Sequence, residues 1–246
     1  MPARLKFIVA YDGGSSAGWQ SQSRGDTIQD QLEQAFRRVS GTRVRVHGAG
    51  RTDAGVHALA QCAHVDLPNR DLPKETWASA LNAFLPPTIR VFRCNYVDLK
   101  FHARFSAKGK VYRYRIWNAA VASPFETGRA WHVIRPLDFE AMSTAVQQFV
   151  GKHDFARFAV NRGRPELDTV RTIHSARARR AGPLITLEFD GDGFLYKMAR
   201  LLTGTIVRCG LGKISARDIV DLLNLDRVDQ RLVAPAAGLF LVRVRY

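Results

Sequence analysis

Residues 43–67 read RVRVHGAGRTDAGVHALAQCAHVDL, two alternating segments separated by a loop rich in glycine. Val44 and Val46 alternate with Arg43, Arg45 and His47, the period of two expected of a half-buried strand. Leu59, Ala63, Val65 and Leu67 resume that period downstream. Between them Gly48, Gly50 and Gly55 bracket Arg51, Thr52 and Asp53, so the stretch reads as a strand-to-strand connection with Asp53 at its apex. Glycine there permits backbone angles closed to other residues and lets a second segment approach the backbone closely. An ordinary Asx turn would also use an aspartate beside glycine. A turn, however, needs one or two glycines, and this loop also fixes a guanidinium two residues from a carboxylate, on the kind of surface segment where functional groups concentrate. Asp53 is therefore the candidate for chemistry, with Arg51 beside it.

The flanking chain predicts a β-α-β-β-α-β order. Leu5, Phe7, Val9 and Tyr11 alternate as a first strand that ends at Asp12-Gly13-Gly14. The loop after it carries Gly18-Trp19-Gln20, whose tryptophan reads as a lid anchor or a surface contact. Thr27 caps a helix with Ile28, Leu32, Ala35, Phe36 and Val39 on one stripe and Gly41 as its stop. A second helix follows Pro73, with Trp77, Leu81 and Phe84 on one face, and Pro86-Pro87 ends it before a strand over residues 89–97. Residues 101–107, including His102, fit neither period and read as the connection between halves.

The second half repeats this order with one helix more. A strand over 109–118 places Tyr112 and Tyr114 on one face and Arg113 and Arg115 on the other. Asp138 starts a helix with Phe139, Met142, Val146, Phe149 and Val150 on one side, closed by Gly151. Residues 155–168 read as an exposed basic loop holding Arg157, Arg162 and Arg164. Two strands follow, over 169–180 and 184–189. Phe194, Leu195, Met198, Leu201, Leu202 and Cys209 then mark a core-facing helix in which Arg200 has apolar neighbours. A guanidinium there needs an anion, supplied by a nearby carboxylate, a helix end or Asp53. Ser215 caps a last helix, and residues 240–246 form a final strand reached through Leu239. The fold class is α+β: two pseudo-symmetric halves, 1–105 and 106–246, with mainly antiparallel sheets meeting at a central cleft.

Composition narrows the class further. With 46% apolar and 24% charged residues in 246, the chain has the make-up of a soluble globular protein. No segment reaches the roughly 20 apolar residues that span a bilayer, and the start enters a strand pattern without a signal-peptide core, so no membrane partner and a cytoplasmic location are expected. Cys62, Cys94 and Cys209 have no paired spacing for zinc or a disulfide framework. The 37 Lys and Arg outnumber the 22 Asp and Glu for a formal charge of +15, which favours a polyanionic partner. Arginine predominates over lysine, and its planar fork suits phosphates and stacked bases.

Gly50-Arg51-Thr52-Asp53-Ala54-Gly55-Val56-His57 resembles the signature of the TruA-type tRNA pseudouridine synthase family. The likeness extends to Tyr11-Asp12-Gly13 with Gly18-Trp19-Gln20, to His102-Ala103-Arg104-Phe105, to a Tyr-x-Tyr strand in Lys110-Val111-Tyr112-Arg113-Tyr114, and to the run from Phe194 to Arg200. Ala17 stands where the family usually has an aromatic, and Ala199 where it usually has valine. The resemblance implies that Asp53 is the nucleophile, that Tyr112 stacks on the target base, that Arg200 pairs with Asp53, and that Leu239 lines the pocket beneath the base. Arg51 would hold the neighbouring phosphate or help to flip the base. It also implies a homodimer that modifies tRNA at positions 38, 39 and 40 of the anticodon arm without cofactor or metal. The residues alone leave two other readings. One is an RNA-binding protein without catalysis, which accounts for the charge but not for the framed Arg-Thr-Asp. The other is a metal-dependent nuclease using His47, Asp53, His57 and His64, whose spacing fits no ligand motif.

Overall fold

The computed structural model describes residues 2–23, 25–70, 72–160, 168–224 and 232–246. In chain order the strands and helices are β1 (Ala3–Tyr11), α1 (Ile28–Ser40), β2 (His47–Gly48), β3 (His57–Leu67), α2 (Lys74–Asn82), β4 (Ile89–Val97), β5 (Gly109–Trp117), β6 (Trp131–His132), α3 (Phe139–Gln147), β7 (Gly151–Asp154), β8 (Val170–Ala181), β9 (Leu184–Gly191), α4 (Met198–Gly210), α5 (Ala216–Leu223) and β10 (Leu239–Arg245). The chain forms two compact units: Met1–Lys108 together with Phe240–Tyr246, and Gly109–Leu239.

In the first unit the strands run in the order β4-β1-β3-β10, with β2 beside β3. β1 is antiparallel to both neighbours, and β10 joins β3 in parallel, Phe240 opposite His57. Leu5, Phe7 and Val9 are fully buried, every second residue of β1, as the sequence period requires. The helices cover that face: the Phe7 ring lies tilted against Phe36 of α1 at 5.3 Å, and Phe36 against Trp77 of α2 at 5.6 Å. α1 begins where expected, because the Thr27 hydroxyl accepts the Asp30 N–H and the Asp30 carboxylate accepts the Thr27 N–H, two otherwise orphaned donors satisfied at once. It stops at Gly41, whose φ of 69° only glycine adopts without cost.

The second unit has the order β5-β9-β8-β7, antiparallel throughout, with β6 parallel to β5. Its first, third and second main strands, β5-β9-β8, neighbour one another as β1-β3-β2 do in the first unit, and a helix follows the first and the third strand in each. The α+β class, mixed but mostly antiparallel, and the internal repeat both stand. Asp138 caps α3 through the Ala141 N–H, and Ser215 caps α5 by the same reciprocal pairing with Asp218 that starts α1.

The structure corrects the sequence reading in several places. The strand expected from Val44 onward shrinks to two residues, because the Val46 N–H donates to the Glu33 carboxylate at 2.9 Å and so leaves the ladder. Leu59 is exposed although its period partners are buried; the β1–β3 register shifts between Val9 and Tyr11, and the extra residue on β3 turns Leu59 outward. Phe84 lies beyond the end of α2 and is also exposed, under the Arg38 guanidinium at 5.6 Å. Residues 155–160 are not a simple exposed loop: Phe155 and Phe158 are buried around a short 3-10 turn, with Phe158 edge-on to both Phe149 and Phe155. Arg162 and Arg164 of that segment lie outside the described residues. Among the described residues no helix is long and apolar enough to cross a membrane.

Candidate active site

Two loops of the first unit build the surroundings of Asp53, and they are joined mainly through backbone. The turn itself closes with the Val56 N–H donating to the Asp53 carbonyl at 3.1 Å, and Gly55 takes a φ of 79°. Upstream, the Ala49 N–H donates to Cys62 at 2.8 Å and the fully buried Gln61 amide donates to the Gly50 carbonyl at 2.7 Å. The loop's two ends are thus fixed to β3. Arg51 is exposed, Thr52 is buried and Asp53 lies half-buried between them.

The segment from Asp12 to Trp19 closes the other side. The Trp19 N–H donates to the Thr52 carbonyl at 3.0 Å, and the Tyr11 and Thr52 hydroxyls share a buried hydrogen bond of 2.8 Å. Gly18 sits at φ 99°, and a β-carbon on it would lie 2.8 Å from the Thr52 carbonyl oxygen and 3.1 Å from the Asp53 carbonyl carbon. A β-carbon on Gly13 would strike the Val56 carbonyl. The Gly13 N–H donates to His57 Nδ1 at 3.1 Å, which calls for an imidazole unprotonated at that nitrogen. The Asp12 carboxylate stands at the same 3.1 Å from Nδ1. Asp12 also accepts the Gly14 N–H at 3.0 Å.

Trp19 is not a surface contact. It is buried, and Gly48 is glycine because a β-carbon there would stand 2.5 Å from the indole. The carbonyls of Gly18 and Trp19 in turn accept the Ile28 and Gln29 N–H groups, the first donors of α1. A continuous backbone path therefore runs from the capped start of α1 through Gly18-Trp19 to Thr52-Asp53.

The other sequence-selected residues belong to the second unit. Tyr112 of β5 is buried, its ring edge-on to Phe194 at 4.8 Å and 72°. Arg200 lies in the first turn of α4; its Nε donates to the Ala234 carbonyl at 2.7 Å, and its own carbonyl accepts the Ala234 N–H at 3.2 Å. Leu239 is buried at the end of a 3-10 turn, Ala236–Gly238. Tyr114 holds that turn: its hydroxyl donates to the Pro235 carbonyl at 2.7 Å, and Gly238 leaves space that a β-carbon would take from the ring, 2.6 Å away. Burial raises the Tyr114 phenol far above its ordinary pKa while the charge of Arg200 opposes the shift, so Tyr114 stays a neutral donor. Lys197, just before α4, is the non-glycine residue among those described with positive φ, at 61°.

Sequence reasoning missed Gly13, Gly18, Tyr11, Gln61, Phe194 and Tyr114 as supports. Each is legible only as a polar, aromatic or glycine residue near a motif, and the partner that gives it meaning is remote in sequence. It also left the histidines unplaced. His47 stacks on His64 at 5.0 Å, and His102 meets His64 edge-on at 4.7 Å. Burial, then the charges of Arg4, His102 and His47, push the His64 pKa down to about 4. Among the described residues no group of three or more His, Cys, Asp or Glu is placed to hold a metal ion.

Comparison with known proteins adds the lineage. A family model described as tRNA pseudouridine synthase matches residues 7–106 and 145–246. The chain is 46% identical to tRNA pseudouridine synthase A of Akkermansia muciniphila, over 99% of this chain and 95% of the relative. It is 45% identical to the protein of that name from Geobacillus kaustophilus, over 100% and 95%. For the one from Acetivibrio thermocellus the identity is 41%, over 98% and 99%.

Proposed function

The chain belongs to the tRNA pseudouridine synthase family, an isomerase family, and we propose that it converts uridine to pseudouridine in the anticodon stem-loop of tRNA, at positions 38, 39 and 40. The observation that carries the reading is the Arg51-Thr52-Asp53 loop, built into the first unit by backbone hydrogen bonds and by glycines that admit no β-carbon. Catalysis by a carboxylate demands a fixed position, and this loop has one.

The reaction breaks the N1–C1′ bond of uridine, turns the uracil and forms a C5–C1′ bond; the C5 proton leaves and N1 gains one. No electron is gained or lost, so the chemistry asks for no redox cofactor. In this reading Asp53 is the nucleophile. Attack at C1′ and proton removal at C2′ both require it ionised, and Arg200 supplies the positive charge that favours that form. Tyr112 stacks on the target base and stands as base for its C5 proton, Leu239 lines the floor beneath the ring, and Arg51, exposed beside Asp53, holds the adjacent phosphate or fills the place of the flipped nucleotide. The half over 1–105 thus carries the reacting carboxylate and the half over 106–246 the groups that receive the base. The formal charge of +15 supports tRNA as partner, and the resemblance supports a cytoplasmic homodimer.

The test is tritium release from C5-labelled uridine in an unmodified tRNA transcript. The wild-type protein releases tritium and Asp53→Asn falls by at least about 10³-fold, in keeping with loss of a nucleophile. Release by both proteins would remove Asp53 from the mechanism, and release by neither, with tRNA bound, would remove the activity.

A further inference from the structure

An aromatic ring that is 77% exposed, Phe105, stands on one of the most firmly tied turns of the first unit. The His102 N–H donates to the Ser106 hydroxyl at 3.0 Å and the Ser106 N–H returns to the His102 carbonyl at 2.9 Å. His102 Nδ1 accepts the Arg104 N–H at 3.1 Å and the Phe105 N–H at 3.4 Å. The turn is also anchored to the sheet, since the Ala103 N–H donates to His64 Nδ1 at 3.2 Å and the Ala103 carbonyl accepts the Tyr246 hydroxyl at 2.7 Å. One face of the Phe105 ring rests on the His102 imidazole at 4.4 Å, tilted 32°, and the Arg104 guanidinium lies 5.6 Å from its centre. The turn thus holds a large apolar surface rigidly in water, where no packing requires it.

We infer that Phe105 is a stacking platform for an unpaired RNA base, with Arg104 taking an adjacent phosphate. This rests on the proposed tRNA reading and deepens it by naming a contact outside the Asp53 loop. A ring held in place loses no side-chain freedom when a flat partner settles on it, and bases stack on such rings whatever their identity. The charge around the turn selects the partner. Residues 100–108 include Lys100, Arg104 and Lys108, all exposed; of the neighbouring carboxylates, Asp98 accepts the Lys100 N–H at 2.7 Å and Asp66 pairs with Arg4. Such a surface attracts a polyanion and repels a second copy of the same turn.

The experiment titrates an unmodified tRNA transcript with wild type, Phe105→Ala, Phe105→Trp and Arg104→Ala at several salt concentrations, and sediments each protein alone. Phe105→Ala weakens binding about tenfold with the same salt dependence, as loss of one stacked base would. Phe105→Trp restores the affinity, and Arg104→Ala lowers the salt slope by about one. Equal affinity of Phe105→Ala and wild type overturns the inference while leaving the synthase reading intact. So does equal loss in the alanine and tryptophan variants. A fall in sedimenting mass for Phe105→Ala assigns the ring to contacts between copies and overturns it too. Absence of tRNA binding by the wild type overturns both readings.

Discussion

Gly18 shows how much of the site depends on single atoms that are absent. Its φ of 99° and the 2.8 Å that would separate a β-carbon from the Thr52 carbonyl make alanine doubly unfavourable. Gly18→Ala should cost about 2 kcal/mol from the left-handed backbone alone. Because the displaced atoms are the backbone of Thr52 and Asp53, it should also lower kcat more than it raises KM, read by single-turnover kinetics beside a melting curve. His64 gives the residue-scale pH dependence. Its pKa is lowered from 6.5 to about 4, chiefly by burial, with Arg4, His102 and His47 adding and Asp66 opposing. The unfolded chain therefore binds a proton that the folded chain refuses, so this residue's share of stability is full above pH 6.5 and is lost as pH falls towards 4. The loss approaches about 3 kcal/mol at the limit, and His64→Gln should flatten the melting-temperature profile across that window. Protonation also disturbs the Ala103 N–H bond to His64 Nδ1, so the Phe105 turn should loosen in the same window. The thiols give no such response at neutral pH. Burial raises Cys94 to about 12 and Cys209 to about 11, so neither is a ready nucleophile. At this scale Asp53 and Arg51 stand out in the sequence because their types and glycine framing are unusual. Gly18 and Gln61 do not, since a glycine's role depends on which backbone passes it and a glutamine's on which carbonyl it reaches.

The secondary structure was legible wherever local chemistry alone sets it. β1 follows from alternation, and α1 and α5 from Thr27 and Ser215, whose capping partners lie three residues on. It was not legible where a distant group competes. Glu33 takes the Val46 N–H and cuts short a strand that alternation predicts, and a register shift turns Leu59 outward. The aromatic pair Phe155 and Phe158 buries a stretch that charge alone marks as exposed. α1 matters beyond its own packing because its first two N–H groups donate to Gly18 and Trp19, the residues that back the Asp53 turn. Thr27→Ala removes the cap, should cost about 1 kcal/mol, and should fray that end. The expected outcome is a modest drop in melting temperature together with a larger proportional drop in single-turnover rate. A cap whose helix makes no hydrogen bond to Gly18 or Trp19, such as Ser215 on α5, should cost similar stability and leave the rate alone; equal effects on rate would break the link between α1 and the loop.

At the scale of the molecule, what alternation cannot reveal is where a strand goes. Residues 240–246 read plainly as a strand, and the natural expectation groups them with the half they follow. Instead β10 joins the first unit, parallel to β3, bringing Phe240 onto His57 at 4.6 Å and 19°. Leu241 is fully buried there, and Tyr246 reaches back to the Ala103 carbonyl while Lys6 lies over its ring at 4.1 Å. Burial pushes the Tyr246 phenol well above its usual range, so it remains a neutral donor at every pH at which the fold persists. The pairing closes a loop of more than a hundred residues, and its entropic cost must be met by non-local contacts such as these. The first unit should therefore depend on the chain's last strand as much as on its own helices. Leu241→Ala creates a cavity and should cost about 2–5 kcal/mol. Amide exchange locates the damage: protection should fall along β3 and β1, about 170 to 240 residues earlier in the chain, while β8 keeps its protection. Leu187→Ala in β9, equally buried, should do the reverse. If both substitutions loosened the two sets of amides alike, the units would be unfolding as one, and the assignment of β10 to the first unit would lose its energetic meaning.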